Sequence, residues 1–187
     1  MVISVFSTKG GVGKTSLSYS LAKDLNTRYI TNDFSVAVNS FSQKNQAKHV
    51  LKNIPFYENT LYDFGGFKDA NVDEIISKSD ILLIPITPDV NAIMKGLQVI
   101  TKYKNTKKII IGNIIETEKD KEDLFKVMNK FFPNEDILFF RKGKLLKRSL
   151  EEKKSATELY KESPLNRRHF KRQYSDYLKI LSVLKTL

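Results

Sequence analysis

The sequence contains no cysteine and no tryptophan, and only eight glycines and five prolines among its 187 residues. Because cysteine is absent, the chain can form neither a disulfide bond nor a metal site with thiolate ligands. Long apolar runs are absent as well: the longest spans Ile81 to Ile86, far short of the roughly 20 residues of a membrane-crossing helix. These absences exclude a disulfide-stapled fold and favour a protein of the reducing cytoplasm.

Acidic residues are also scarce relative to basic ones. The chain has 21 Asp and Glu against 32 Lys and Arg, which gives a net charge of +11. The excess is uneven: the segment from Arg141 to Leu187 holds 14 basic and 5 acidic residues, whereas the first 140 residues hold 18 and 16. A near-neutral region followed by a basic one is typical of proteins that bind a polyanion, either nucleic acid or an anionic membrane. A solvated basic surface without a partner is the alternative.

Three of the eight glycines fall together in the stretch Ser7 to Thr15, which directly follows the apolar run Val2 to Phe6. An apolar strand, a glycine-rich turn and Lys-Thr at the start of a helix form the pattern of a phosphate-binding loop. In such a loop, backbone N–H groups and the positive end of the helix face the phosphates. Lys14 is then expected to contact the β- and γ-phosphates of ATP, and the Thr15 hydroxyl to bind Mg²⁺. An ordinary glycine turn is the alternative.

The loop has a second lysine, Lys9, ahead of its glycines, and Thr8 where the general pattern has glycine. The form Lys-Gly-Gly-x-Gly-Lys-Thr resembles the deviant Walker A loop of the ParA/MinD family. The resemblance implies that Lys9 reaches across an ATP-dependent homodimer to the phosphates on the partner subunit; a solvent-facing lysine is the alternative. The predicted nucleotide-binding residues of the loop are Lys9, Gly10, Gly11, Val12, Gly13, Lys14, Thr15 and Ser16.

Apolar runs and helical periodicities alternate along the chain. The runs Arg28 to Thr31, Ile81 to Ile86, Lys108 to Asn113 and Ile137 to Phe140 predict strands. Apolar residues at helical spacing predict a helix from Thr15 to about Asn26 and further helices around Val72 to Ile76, Ile93 to Ile100 and Leu124 to Phe131, whereas residues 36–58 give only a weak signal. This alternation predicts an α/β fold, a doubly wound and mostly parallel sheet flanked by helices in three layers, as in P-loop NTPases. We expect a single domain over residues 1–187, with a basic helical region from about residue 141.

Two aspartates follow apolar residues where the family has functional carboxylates. Asp33 lies at the end of the second strand, where the family has Asp-x-Asp-Pro-Gln, and the second aspartate of that motif orients the attacking water. Asp33 can match either aspartate, and Phe34-Ser35 replaces Pro-Gln. By resemblance, Asp33 is the candidate water-positioning residue, with a turn aspartate as the alternative.

Asp63 resembles the Walker B aspartate, which implies that it holds Mg²⁺ through a water molecule. The predicted catalytic residues are Lys9, Lys14 and Asp33.

Asn113 ends the predicted strand that begins at Lys108. Related ATPases place an adenine-binding asparagine at this point, so the resemblance implies that Asn113 contacts the base of the nucleotide. An asparagine that only forms a turn at the strand end is the alternative.

A basic region follows the last predicted strand, and in ParA proteins the basic residues of this region bind non-specific DNA. The predicted DNA-binding residues are Arg141, Lys142, Lys144, Lys147 and Arg148. Ser163 and Pro164 then predict the start of a terminal helix. Its apolar side is expected to comprise Phe170, Tyr174, Tyr177, Leu178, Leu181, Leu184 and Leu187. This side either packs on the sheet or, as in MinD-type relatives, anchors the chain to a membrane.

The resemblance implies an ATP-dependent DNA-partition ATPase in the cytoplasm, associated with the nucleoid. ATP would close a homodimer that binds non-specific DNA, and a separate centromere-binding adaptor protein would stimulate slow hydrolysis and release it. Because the chain opens on the phosphate loop, we expect neither a signal peptide nor the N-terminal DNA-reading domain of larger ParA proteins. The alternatives are a MinD-type membrane-positioning ATPase, a metabolic enzyme such as a ligase, and a binding module that does not hydrolyse ATP.

Overall fold

The computed structural model describes residues 1–33, 37–41, 46–66 and 70–186. Within these ranges the strands are β1 (Val2–Phe6), β2 (Arg28–Thr31), β3 (Ala47–His49), β4 (Thr60–Phe64), β5 (Ile81–Ile86), β6 (Lys108–Ile115) and β7 (Asp136–Arg141). The helices are α1 (Lys14–Asp24), α2 (Ala70–Lys78), α3 (Val90–Lys102), α4 (Glu118–Phe131), α5 (Leu145–Glu151), α6 (Ala156–Lys161) and α7 (Pro164–Lys185). A short 3₁₀ helix, Val38–Ser40, precedes β3.

The strands form one sheet in the order β3-β2-β4-β1-β5-β6-β7, and every adjacent pair is parallel. The chain leaves the central β1 toward one edge of the sheet, returns at β4, and then continues through β5 toward the other edge. The connections therefore diverge around β1 and open a crevice at the carboxyl ends of the central strands, where doubly wound folds bind their ligands. The predicted fold class is confirmed.

The residues of β5 show why the central strands are apolar throughout. Ile81 and Leu83 pack with the layer formed by α1, α5, α6 and α7. Leu82, Ile84 and Ile86 pack with the layer formed by α2, α3 and α4. Because helices cover both faces of this parallel sheet, its inner strands are continuous apolar runs with no alternation of polar side chains.

Some element boundaries differ from the sequence prediction. The sequence predicts α1 from Thr15 to about Asn26, whereas the helix ends at Asp24 because Asn26 adopts a left-handed backbone with φ of 51°. β6 continues past its predicted end at Asn113 to Ile115, through a register shift against β7. β3 is not predicted at all, because a three-residue strand at the edge of the sheet is too short to show a periodic pattern.

Helix α7 begins where the sequence predicts. The Ser163 side chain accepts a hydrogen bond from the Asn166 N–H at 3.0 Å, and Pro164 is the first helical residue. The sequence prediction was wrong at Leu178, which is 42% exposed, and it missed Ile180, which is fully buried. The prediction for Leu187 lies outside the described residues. The buried apolar side chains of α7 are Phe170, Tyr174, Tyr177, Ile180, Leu181 and Leu184.

The apolar side of α7 is part of the protein core. It packs against α6, β7 and α5, and it belongs to the same buried apolar cluster as Ile109 and Ile111 of the sheet. The buried Tyr177 hydroxyl also donates a hydrogen bond to Asp24 Oδ2 at the end of α1, at 2.8 Å. Of the two alternatives that the sequence left open for this apolar side, the structure shows packing within the protein. No helix in the described ranges is both long enough and apolar enough to cross a bilayer.

Candidate functional site

The stretch Ser7 to Thr15 forms the turn from β1 into α1, at the carboxyl edge of the sheet. Gly11 and Gly13 have φ of 76° and 84°, a left-handed conformation that residues with a Cβ rarely adopt. Gly13 is the N-cap of α1; no side chain caps this helix among the described residues, and its first turn holds no acidic residue. The first N–H groups of α1 and the positive end of its dipole are therefore open to an anion.

Lys14 lies inside this loop. The residue is 9% exposed, and its Nζ donates a hydrogen bond to the carbonyl oxygen of Lys9 at 3.2 Å. Burial lowers the pKa of Lys14, while the charges of Asp63 and Asp33 oppose that shift. The fold thus brings both predicted carboxylates within electrostatic reach of the loop lysine, although the three residues lie far apart along the chain.

Asp63 lies in β4 opposite Val5 of β1 and is almost fully buried. Its Oδ2 accepts a hydrogen bond from the Tyr29 hydroxyl at 2.7 Å, whereas its buried Oδ1 has no hydrogen-bond partner among the described residues. Burial raises the pKa of Asp63, and the Tyr29 hydroxyl, the nearby Thr15 hydroxyl and the charge of Lys14 oppose the rise. One oxygen of this carboxylate is therefore held and the other is left to bind a ligand.

A buried carboxylate oxygen without a donor, next to a hydroxyl, suits a small divalent cation. Mg²⁺ usually takes one or two protein oxygens and completes its shell with water and substrate phosphates. The described residues contain no cluster of three acidic, histidine or cysteine side chains that could enclose a metal ion. The oxygens of Asp63 and Thr15 have the chemistry for an ion that is shared with bound phosphates, and their binding of Mg²⁺ stays a prediction.

Asp33 follows β2 and approaches the turn after β4. Its N–H donates to Thr31 Oγ1 at 3.1 Å, which holds the turn at the strand end. A Cβ on Gly65 would lie 3.1 Å from the Cβ of Asp33, so glycine permits the two segments to approach closely. Asn32, which the sequence did not single out, is buried and accepts a hydrogen bond from the Gly65 N–H at 2.7 Å. Its only signal in the sequence is its place between a strand and Asp33.

Lys9 belongs to the same loop and is half-buried. Its N–H donates to Ser7 Oγ at 3.3 Å. Hydrogen bonds from the Thr87 hydroxyl and the Ala92 N–H, together with the nearby charge of Lys9, lower the pKa of Asp89 at the start of α3. The charge of Lys9 therefore acts on the start of α3. Its reach to a partner subunit stays a prediction.

Asn113 contacts the loop itself. Its side chain is buried, and its Nδ2 donates to the carbonyl oxygen of Val12 at 2.7 Å. A Cβ on Gly13 would clash with this nitrogen, so the contact requires glycine there. The hydrogen bond ties β6 to the phosphate loop, which gives Asn113 a structural role that the sequence did not indicate. Its contact with adenine stays a prediction.

A cavity of about 260 Å³ opens beside the loop, next to the N-terminus of α1. Apolar side chains and several cations contribute to its walls. Its lining residues include Gly13, Ser16, Asn113, Phe140, Leu146 and Lys147. A mainly apolar recess that adjoins a phosphate site is where the base and ribose of a nucleotide would fit.

The five predicted DNA-binding residues do not form a free cationic stripe. Four of them are in ion pairs of 2.5 to 3.7 Å: Arg141 with Asp176, Lys142 with Glu116, Lys147 with Glu151, and Arg148 with Glu152. Lys144 is exposed, and no residue in the described ranges forms an ion pair with it. Arg141, Lys142 and Lys147 also line the cavity beside the loop. The role of these five residues in DNA binding stays a prediction.

Helix α7 exposes a second set of cations, opposite its buried side. These are Arg168, Lys171, Arg172 and Lys179, and none of them has a carboxylate partner within the described part of the chain. The basic excess of the C-terminal region is therefore most available on this helix.

Comparisons with known proteins agree with this geometry. The family model AAA_31, described as an AAA domain, matches residues 1–129, which include the loop and both candidate carboxylates. A search of the curated proteins found no match. Among solved structures, apo McdA of Cyanothece superposes with a TM-score of 0.71 at 15% identity, and the match covers 92% of this chain and 98% of McdA.

Two further structures have the same fold. MinD of Aquifex aeolicus matches with a TM-score of 0.66 at 16% identity, over 97% of this chain and 96% of MinD. A Borrelia burgdorferi protein described as a plasmid partition protein, bound to AMPPNP, matches with a TM-score of 0.66 at 16% identity, over 100% and 99% of the two chains. The chain therefore belongs to the AAA_31 family and has the P-loop fold of the ParA/MinD-type ATPases.

Proposed function

We propose that this protein is an ATP-dependent DNA-partition ATPase, which dimerises on ATP, binds DNA of any sequence and leaves the DNA after hydrolysis. The observation that carries the proposal is the meeting of an uncapped phosphate loop, the buried Lys14 and two carboxylates at one edge of the sheet. The plasmid partition description of the Borrelia burgdorferi neighbour supports the same class of function.

Each residue of the site has a defined task in this proposal. The N–H groups at the start of α1 bind the β- and γ-phosphates, and Lys14 offsets their negative charge. Thr15 and Asp63 would hold Mg²⁺, which supplies the charge that stabilises the phosphates during hydrolysis. Asp33 accepts a hydrogen bond from the attacking water and orients it. The base enters the cavity beside Asn113.

Lys9 links nucleotide binding to dimerisation. Lys9 is half-buried and its charge acts on the start of α3, and we expect its ammonium to reach the phosphates that a second copy of the chain holds. A triphosphate between two such loops would attract a lysine from each subunit. ATP, with its additional phosphate, would therefore favour the homodimer more than ADP does.

The DNA-binding face is proposed to include α7 as well as the predicted Lys144. The α7 cations have no carboxylate partner among the described residues, so they can neutralise phosphates without first breaking an ion pair. Contacts of this kind position a protein on DNA but do not read its bases, so binding would be independent of sequence. A separate centromere-binding adaptor protein would then supply specificity and stimulate hydrolysis.

DNA is a better-supported partner than a membrane. A membrane anchor needs an apolar helix face that is free to insert into lipid. The apolar face of α7 instead contributes six buried side chains to the core, including Phe170, Tyr177 and Leu184. Its release would expose this core to water at a large cost in stability.

Two lysine variants test the proposal. Lys14→Ala removes the cation nearest the expected β- and γ-phosphates, so ATP affinity measured by calorimetry should fall by about tenfold or more, or about 1.4 kcal/mol. Lys9→Ala should bind ATP as the wild type does but stay monomeric with ATP in sedimentation experiments. Lys126→Ala, on the exposed side of α4, is the matched control and should change neither property. Unchanged ATP affinity in Lys14→Ala would refute the nucleotide site, and a normal ATP dimer in Lys9→Ala would refute the role across the dimer.

A further inference from the structure

Tyr29 makes a specific contact with the carboxylate that would face Mg²⁺. Its hydroxyl donates to Asp63 Oδ2 at 2.7 Å, and both residues are buried. Tyr29 pairs with Leu61 across the β2–β4 register, so the phenol reaches along the neighbouring strand to Asp63. The family resemblance gives no function to this position of the second strand, and the sequence alone did not single it out.

The position of the Tyr29 ring is fixed by its surroundings. The ring stacks on Phe41, with 5.3 Å between centroids and 21° between planes. Its backbone lies inside the sheet, and its N–H donates to the Gln46 carbonyl oxygen at 2.8 Å on the side of β3. A ring held on these sides can direct its hydroxyl to only a small region, which Asp63 Oδ2 occupies.

The contact divides the Asp63 carboxylate into two unequal oxygens. Oδ2 is engaged by the phenol, while Oδ1 is buried without a hydrogen-bond partner in the described ranges. The Lys14 ammonium is close enough for the two charges to interact. Without the phenol, only the nearby Thr15 hydroxyl would oppose the attraction of the carboxylate to Lys14. A turn of the carboxylate toward Lys14 would occupy the lysine that should meet phosphate and leave Oδ1 less available to a metal ion.

We propose that Tyr29 is a positioning residue for Mg²⁺, because its hydroxyl holds Oδ2 of Asp63 and leaves Oδ1 available to the metal ion. This inference rests on the proposed nucleotide site and adds to it a residue that touches neither metal nor nucleotide. Partners of this kind, which orient a metal ligand, typically contribute about 10- to 100-fold to metal affinity.

The test compares Tyr29→Phe, which removes only the hydroxyl, with the wild type. ADP affinity is measured by calorimetry with Mg²⁺ and with EDTA, and Mn²⁺ binding to the ADP complex is followed by electron paramagnetic resonance. We expect ADP affinity in EDTA to be unchanged and Mn²⁺ affinity to fall by about tenfold. Tyr19→Phe is the matched control: Tyr19 is a buried tyrosine whose hydroxyl donates to the Ser40 carbonyl oxygen, and it should keep the wild-type values.

The outcomes separate this inference from the proposed function. If the wild type binds no ADP at all, the nucleotide site itself is refuted. If the wild type binds ADP and Mn²⁺ but Tyr29→Phe binds Mn²⁺ equally well, only the role of Tyr29 is refuted. A second measurement uses the wild type and so does not depend on how the variant folds. The ¹³Cζ resonance of site-specifically labelled Tyr29 should shift when Mg²⁺ is added to the ADP complex. A resonance that does not shift would contradict the inference.

Discussion

At the scale of residues, the candidate site joins side chains from three separate segments around one lysine. Lys14 comes from the loop, Asp33 from the end of β2 and Asp63 from β4, and each carboxylate acts electrostatically on the lysine. Asp63 is buried, and only its Oδ2 accepts a hydrogen bond from Tyr29, which leaves Oδ1 available to a metal ion. Asp33 is less buried and adjoins the glycine turn after β4, which suits contact with a water molecule.

Asp33→Ala should therefore abolish hydrolysis and leave ATP binding intact. General-base and water-positioning carboxylates contribute about 10²- to 10⁴-fold to rate, so turnover should fall at least about 100-fold in a phosphate-release assay. The ATP dimer should persist, because nothing removes the γ-phosphate. Asp123→Ala, an exposed aspartate on α4, is the control. If Asp33→Ala turns over ATP at the wild-type rate, Asp33 is a turn residue and the chain uses another group or does not hydrolyse ATP.

The sequence predicts those parts of the site whose residues are close together along the chain. The loop is one continuous stretch, so its glycines, Lys14 and Thr15 are evident from their order alone. The bond between Asn113 and Val12 joins residues 101 positions apart, and that between Tyr29 and Asp63 joins residues 34 apart. Only the strand order of the sheet brings such pairs together, which is why their contacts could not be predicted.

At the scale of elements, the central strands could be predicted because both of their faces are buried. The edge strand is defined only by its pairing with a neighbouring strand. β5 is apolar at every position, so its sequence alone indicates a buried parallel strand. β3 is visible only through its pairing with β2. The ion pairs of Arg141 with Asp176 and of Lys142 with Glu116 show the same limit, because they join distant segments. Those of Lys147 and Arg148 with Glu151 and Glu152 follow i,i+4 spacing, which the sequence does contain.

The cations at the exposed side of α7 have no carboxylate partner among the described residues, whereas Lys147 and Arg148 of α5 are in ion pairs. A charge-removal experiment is therefore directed at α7. The triple variant Arg168→Ala, Lys171→Ala, Arg172→Ala should weaken binding to all DNA sequences alike. The slope of log K against log salt should flatten by about 0.9 for each DNA phosphate that the variant no longer neutralises. ATP affinity should be unchanged, because none of these three residues lines the cavity beside the loop. A fluorescence titration of duplex DNA at several salt concentrations measures the slope.

The control for the α7 variant removes the same number of charges from α4, at the exposed Lys119, Lys126 and Lys130. It should leave the salt slope unchanged. A variant at Lys147 would be a poor substitute, because Lys147 lines the cavity and its removal could alter nucleotide binding as well. If the α7 triple variant binds DNA normally while Lys144→Ala alone does not, the DNA-binding face lies at the start of α5.

At the scale of the whole molecule, the proposal joins a nucleotide site to a basic surface through dimerisation. The net charge of +11 is concentrated beyond residue 140, so the proposed dimer would present two copies of the basic region to one DNA molecule. Two linked sites bind more tightly than one because the second contact is made at high effective concentration. In this proposal, ATP would raise DNA affinity without any new contact to a base.

The most direct test of this central claim is a titration of duplex DNA with the wild-type protein in three states: with Mg²⁺ and ATP, with Mg²⁺ and ADP, and without nucleotide. We predict the highest affinity with ATP, equal affinity for two unrelated DNA sequences, and no gain from ATP in Lys9→Ala. Equal DNA affinity in all three states would contradict the account. ATP-dependent binding to anionic liposomes in place of DNA would contradict it as well, and would point to the membrane-positioning alternative.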